Sequence, residues 1–159
     1  MIKDKIKDAG VLKGILASLK NKGKKIVFTN GCFDILHVGH VSYLEETKAL
    51  GDILVVAINS DASVKKIKGK GRPLTKERDR EEVVAALASV DFVTLFCEDT
   101  PESIVKELDP DVIVKGGDWK EGDIVGGDYV KKRGGKVVSI PFRKGYSTTS
   151  LIKRVKGLQ

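Results

Sequence analysis

The apolar residues of this chain fall into two recurring patterns. Short apolar runs at 25–29, 53–58, 91–96, 111–114 and 136–140 predict buried strands. Between them apolar residues recur at helical spacing. Residues 3 to 20 carry Ile6, Ala9, Val11, Leu12, Ile15, Leu16 and Leu19. They predict an amphipathic helix, bent near Gly10 or Gly14 and stopped by Asn21 and Gly23. A second helix is expected from His37 to about Leu50, with Val41, Leu44 and Ala49 inward. Asn59-Ser60-Asp61 caps a short helix to about Ile67. Thr75 is the expected cap of a helix over 76–89 that buries Val83, Val84, Leu87 and Ala88. Pro101 suits the first turn of another, ending near Leu108. Short helices follow at 127–133 and from Ser147-Thr148-Thr149-Ser150 through Val155.

Strands alternating with helices predict an α/β fold: a Rossmann-like, doubly wound, five-stranded parallel sheet covered on both faces. The expected organisation is a single domain over 1–159, with a helical extension at 1–23 and a core at 24–157. The apolar faces of the first helix and of 81–90 could bury against the sheet or form a homodimer. Ligands of such sheets bind at the carboxyl ends of the strands. The loops following the first, second, fourth and fifth strands hold His37 and His40, Asn59 and Asp61, Gly116 to Trp119, and Ser147 to Thr149.

Composition narrows the classes. With 41% hydrophobic and 32% charged residues, a soluble globular protein is expected. There is no run of membrane-span length and no signal-peptide core, so the cytoplasm is the expected location. The two cysteines, Cys32 and Cys97, fit a reducing compartment. The net charge of +7 suits a polyanionic partner. Its lysines and arginines are scattered, and no RNA-binding aromatic motif accompanies them. They read mostly as solvated helix faces and loops; no nucleic-acid or membrane partner is expected, and a non-catalytic nucleotide- or RNA-binding module is the alternative from a different class.

The chemistry concentrates in Asn30-Gly31-Cys32-Phe33-Asp34-Ile35-Leu36-His37-Val38-Gly39-His40, between a strand and a helix. The chain has only two histidines, and both lie here. A helix start presents free N–H groups and partial positive charge, so two imidazoles beside it suit phosphate oxygens. Gly31 and Gly39 let a ligand approach the backbone. Lys48 shares a helical stripe with His40 and Leu44 and is expected to reach the same region. Competing readings are a metal site from Cys32, His37 and His40, a Cys32–His dyad, and purely structural histidines. Ser147, Thr148 and Thr149 read either as a helix cap or as a second phosphate anchor, with Arg143 or Lys144 adding charge. Gly116 and Gly117 read as a pocket or an ordinary turn, and Trp119 as a stacking surface or a rim. The basic loop at 69–72 either closes over a polyphosphate or is simply solvated.

Gly31-Cys32-Phe33-Asp34-Ile35-Leu36-His37-Val38-Gly39-His40 resembles the G-x-F-D-x-x-H-x-G-H signature of the cytidylyltransferase-like nucleotidyltransferases. Ser147-Thr148-Thr149 is similar to their second signature. The runs at 71–74, 86–91, 98–101 and 114–119 resemble one branch, the D-glycero-β-D-manno-heptose 1-phosphate adenylyltransferases of lipopolysaccharide synthesis. That resemblance implies ATP and a sugar 1-phosphate as substrates, Mg²⁺ held mainly by ATP phosphates, and pyrophosphate release without a covalent enzyme intermediate. It implies catalytic roles for His37, His40 and Lys48, with Lys48 bridging the nucleotide and sugar phosphates. It implies nucleotide contacts from Asn30, Gly31, Phe33, Gly39, Gly116, Asp118, Ser147, Thr148 and Thr149. Asp34 is expected to orient the motif or the sugar and Trp119 to contact the sugar phosphate, and no protein metal ligand is expected. This branch is often fused behind a sugar kinase; a heptose kinase acting in the same pathway is expected as a separate chain or a missing part. The alternative enzyme reading is a glycerol-3-phosphate-type cytidylyltransferase, which the resemblance supports less, because those enzymes carry an Arg-Thr pair ahead of the second signature where Arg143-Lys144-Gly145-Tyr146 stands here.

Overall fold

The computed structural model describes residues 1–158. Its centre is β1 (Ile26–Gly31), whose Ile26, Val27 and Phe28 are wholly buried. A strand this apolar on both faces needs cover on both sides. It pairs in parallel with β2 (Ile53–Asn59) and β4 (Val112–Gly116), and β3 (Phe92–Phe96) and β5 (Lys136–Ile140) form the edges. The order is β3-β2-β1-β4-β5. The chain winds outward to β3, then returns to the other side of β1. That reversal opens a crevice between the carboxyl ends of β1 and β4.

The helices are α1 (Ile2–Lys5), α2 (Ala9–Asn21), α3 (Val38–Lys48), α4 (Asp61–Lys68), α5 (Glu77–Ala85), α6 (Glu102–Leu108), α7 (Gly127–Lys132) and α8 (Thr148–Lys156), with a 3₁₀ turn at Glu121–Asp123. Alternate strand residues feed two apolar layers. On one face Phe28, Val55 and Ile113 pack with Leu12 and Leu16 of α2 and Val105 of α6. On the other Val27, Val56 and Val114 pack with Tyr43 and Leu44 of α3 and Val84 of α5. No helix among the described residues is long and apolar enough to cross a membrane.

Several features differ from the sequence pattern: Ala49 and Ala88 are exposed rather than inward, and the helix expected over 76–89 is α5, which ends at Ala85 with Lys76 rather than Thr75 at its N-cap. The N-terminal helix breaks at Ile6–Asp8, not at Gly10 or Gly14. Ile6 forms a bridge to Val93 on the open edge of β3, and the Asp8 carboxylate caps α2 by accepting from the Gly10 N–H. A strand edge and a good cap together outweigh one turn of continuous helix. In α5 the inward face is Arg80, Glu81, Val84 and Ala85, while Val83 is 49% exposed. Apolar periodicity cannot register an arginine taking an interior position.

Candidate active site

The sharp turn after β1 sets up the site. Phe33 has φ 47°, a left-handed conformation that costs a bulky residue and concentrates at functional turns. Its ring lies 5.4 Å from that of His40. His37 occupies the N-cap position of α3 in extended conformation, and its side chain makes no capping bond. The N–H groups of His40 and Val41 turn back to the His37 carbonyl. Those of Val38 and Gly39 precede the first helical bond and stay available. The two imidazoles stack, centroids 3.9 Å apart and planes at 27°. A Cβ on Gly39 would come within 2.9 Å of the His37 ring, so this stacking requires glycine there.

Both histidine Nδ1 atoms are buried without a hydrogen-bond partner among the described residues. Burial, with repulsion from His37 added, lowers the His40 pKa to about 4. Burial lowers that of His37 as well. Both rings are neutral at pH 7. The unfolded chain takes up a proton near the ordinary histidine value of about 6.5, whereas folded His40 resists protonation until about pH 4. Its contribution to stability is thus complete above that upper value and lost as pH falls toward the lower one. Thermal melts of the wild type and His40→Gln between neutral pH and pH 4.5 test this. The wild type should lose stability more steeply, and parallel curves would contradict the depressed value.

The histidines open into a cavity of about 630 Å³ at the crevice. Asn30, Gly31, Phe33, Asp34, His37, Gly39, His40, Asn59, Gly116, Trp119, Ser147, Thr148 and Thr149 all line it. At Gly116 a Cβ would come within 2.8 Å of the Phe142 ring, which is exposed and free to give way. At the start of α8, the Ser147 hydroxyl accepts from the Ser150 N–H at 3.0 Å, and Thr148 Oγ1 donates to the Ile35 carbonyl at 3.2 Å. The cluster is therefore both a cap and part of the cavity wall. Trp119 is 47% exposed and folds back over the strand end, its Nε1 donating to the Gly116 carbonyl. It forms the rim.

Two expected contacts, Lys48 and Asp118, take other places, and Asp34 takes the orienting one of its expected roles. Lys48 lies at the far end of α3, roughly 15 Å along the helix from the histidines. It pairs with Asp91 and donates to the Asp52 carbonyl, at the amino ends of β3 and β2. A shared helical stripe fixes direction around the axis, not height along it. Lys48→Met is expected to cost up to about 1 kcal/mol of stability and to leave turnover unaltered. A turnover loss of ~10-fold or more in steady-state assays would contradict this placement. Asp118 is exposed and outside the cavity wall. Asp34 is buried at the cavity edge with both oxygens occupied. It accepts from Arg72 Nε at 2.6 Å and from the Leu74 and Thr75 N–H groups at 2.8 Å. Burial alone would push this carboxyl up; the two N–H groups and Arg72 outweigh it and hold it below the usual carboxylate value. Asp34 therefore fastens the basic loop to the histidine turn.

Other residues gave no sequence signal. The Tyr43 hydroxyl bonds Thr29 Oγ1 at 2.7 Å and donates to the Val114 carbonyl at 3.3 Å, tying α3 to β1 and β4. Burial raises its pKa to about 12. Arg80 is 1% exposed and donates to the carbonyls of Cys32, Asn59 and Thr75 and to Asp61. Lys115 also lines the cavity, and burial lowers its pKa. The cavity's positive groups are Lys68, Arg72, Lys115 and Arg143. Its acids are Asp34, taken by Arg72, and Asp99, paired with Lys66 at 3.0 Å. The balance favours a polyanion.

Comparison with known proteins agrees with this geometry. Residues 28–154 match the model of the Cytidylyltransferase-like family. The bifunctional protein HldE of Citrifermentans bemidjiense is 50% identical over 151 residues, 95% of this chain and 31% of that one. The bifunctional protein HldE of Shewanella denitrificans is 57% identical over 138 residues, 87% of this chain and 29% of that one. The chain thus spans under a third of the length of these curated relatives. A solved structure, the lipopolysaccharide core biosynthesis protein from Thermoplasma volcanium GSS1, aligns with a TM-score of 0.64 at 32% identity, covering 78% of this chain and 99% of that one. The matched segment runs from β1 into α8 and includes the stacked histidines and the Ser-Thr-Thr helix start, so the chain belongs to the cytidylyltransferase-like family of nucleotidyltransferases.

Proposed function

We propose that this chain transfers AMP from ATP to D-glycero-β-D-manno-heptose 1-phosphate, giving ADP-heptose and pyrophosphate. The carrying observation is the stacked His37–His40 pair, with both Nδ1 atoms buried and unpartnered, in one cavity with the start of α8. A group rich in acceptor oxygens is what such a wall would bind. Neutral imidazoles offer N–H donors to the α-phosphate oxygens, and these bonds strengthen as charge develops there. Thr148, Thr149 and the first-turn N–H groups of α8 hold the β- and γ-phosphates. The sugar phosphate attacks the α-phosphorus in line while pyrophosphate leaves. Its oxygen is already ionised, so the chain's residues supply position and charge neutralisation rather than a general base.

Among the described residues no cluster of three His, Cys, Asp or Glu groups could hold a metal, and both cavity carboxylates are paired. Mg²⁺ carried on the triphosphate fits this wall, because it takes phosphate and water oxygens readily. Bound there, it would neutralise the leaving pyrophosphate.

The choice of adenine and heptose is supported by the branch-like runs at 71–74, 86–91, 98–101 and 114–119. It also fits relatives named as bifunctional HldE proteins and a neighbour named for lipopolysaccharide core synthesis. A heptose kinase activity would supply the sugar 1-phosphate. Pyrophosphate release, measured with ATP plus heptose 1-phosphate and with CTP plus glycerol 3-phosphate, tests the reading. Release only from the second pair would replace it with a cytidylyltransferase.

A further inference from the structure

The pleat of the sheet sends alternate strand-end residues of the cavity wall to opposite faces, giving the wall two sides, or lobes. Along β4, Val112 and Val114 pack toward α3, and Gly116 continues that face. Ile113 packs toward α2 and α6, and Lys115 continues that one. Along β1, Thr29 bonds Tyr43 of α3, whereas Ile26 and Phe28 face α2 and α6, so Asn30 shares a face with Lys115. The strands register Thr29 against Val114, which makes Asn30 and Lys115 the next neighbours along the pair. The histidines stand on α3, on the other side of these strand ends.

Lys115 is half-buried, and no acid lies within ion-pair distance of it among the described residues. Its Nζ lies 6.0 Å from the Trp119 ring centroid. The Asn30 side chain makes no hydrogen bond among the described residues. Arg72 is occupied by Asp34, and Lys68 and Arg143 are exposed. Lys115 is thus a sheltered, unsatisfied cation beside an unsatisfied amide. An in-line displacement needs its nucleophile opposite the leaving group. With pyrophosphate held at α8, the approach from the Lys115 side remains for the acceptor.

The geometry points to this second lobe as the subsite for the acceptor's phosphate, with Lys115 as the residue that binds it. The inference rests on the nucleotidyl-transfer reading, and it adds the place and the ligand of the acceptor. Burial, by lowering the Lys115 pKa, gives an ammonium that gains from an anionic partner.

The test titrates inorganic phosphate into the complex of the protein with α,β-methylene-ATP, which fills the nucleotide lobe and cannot react. Lys115→Met should weaken phosphate binding about 10- to 100-fold, as loss of a charge-assisted hydrogen bond does. Lys115→Arg should restore most of it. In turnover, the methionine variant should raise KM for the sugar phosphate and leave KM for ATP unchanged. Equal phosphate affinity in wild type and variant, no phosphate binding by the wild type, or a matching loss of α,β-methylene-ATP affinity would each overturn the assignment. If the wild type makes no ADP-heptose but phosphate binding still depends on Lys115, the acceptor's identity is wrong and the subsite stands.

Discussion

Replacing His40 with alanine is expected to lower kcat by at least ~10²-fold, with KM for ATP little changed. The split follows from what the ring does. The ground-state triphosphate also has α8, the N–H groups of α3 and the cations Lys68 and Arg143 to hold it. Extra charge at the transferring phosphorus appears only on the way to products, so a donor aimed there acts on kcat. His37→Ala should behave alike. The two rings stack at 3.9 Å and serve one group, so the double variant should lose less than the product of the single losses. The fold should survive, because the rings make no side-chain hydrogen bond to the protein among the described residues. Steady-state rates with saturating ATP decide the matter. Near-normal turnover in either variant, with an unchanged melting temperature, would remove that histidine from the chemistry.

How far the sequence spoke depends on the kind of force at each position. The strands were legible because burial on both faces leaves unbroken apolar runs, as at 53–58. The histidine turn was legible because both histidines of the chain lie within one strand–helix junction. Lys48 misled because a helical stripe says nothing about which end of the helix meets the ligand; α3 carries it to the opposite edge of the sheet. Asp34 was legible only in part: an orienting role was expected, but its partners, Arg72, Leu74 and Thr75, come from a loop some forty residues later. Lys115 was hidden in a strand-end run, and only the pleat shows which lobe it enters. Arg80 was hidden most completely, since a charged residue on a helix reads as solvated.

Arg80→Met is expected to destabilise the protein by about 3–5 kcal/mol, the range for removing one member of a buried polar network. Four acceptors depend on this guanidinium. Nη1 donates to the Cys32 carbonyl at 2.5 Å, Nη2 to the Asn59 carbonyl and Asp61 Oδ1 at 2.8 Å, and Nε to the Thr75 carbonyl at 3.0 Å. The Asp61 side chain is 40% exposed and can turn to water, so little of the loss arises there. The Asn59 end is buried, and a carbonyl stranded there carries its own desolvation cost. Lysine should recover only part of the loss, because one ammonium cannot span four divergent acceptors. The damage should also reach function. Cys32 directly precedes the strained Phe33 turn, and Asn59 closes β2 at the cavity. Loosening both ends together should reduce the fraction of molecules with the histidines correctly stacked. Urea unfolding of wild type, Arg80→Met and Arg80→Lys measures the first effect, and single-turnover rates well below the unfolding midpoint measure the second. A stability change under about 1 kcal/mol for Arg80→Met would mean that water replaces the guanidinium at all four acceptors.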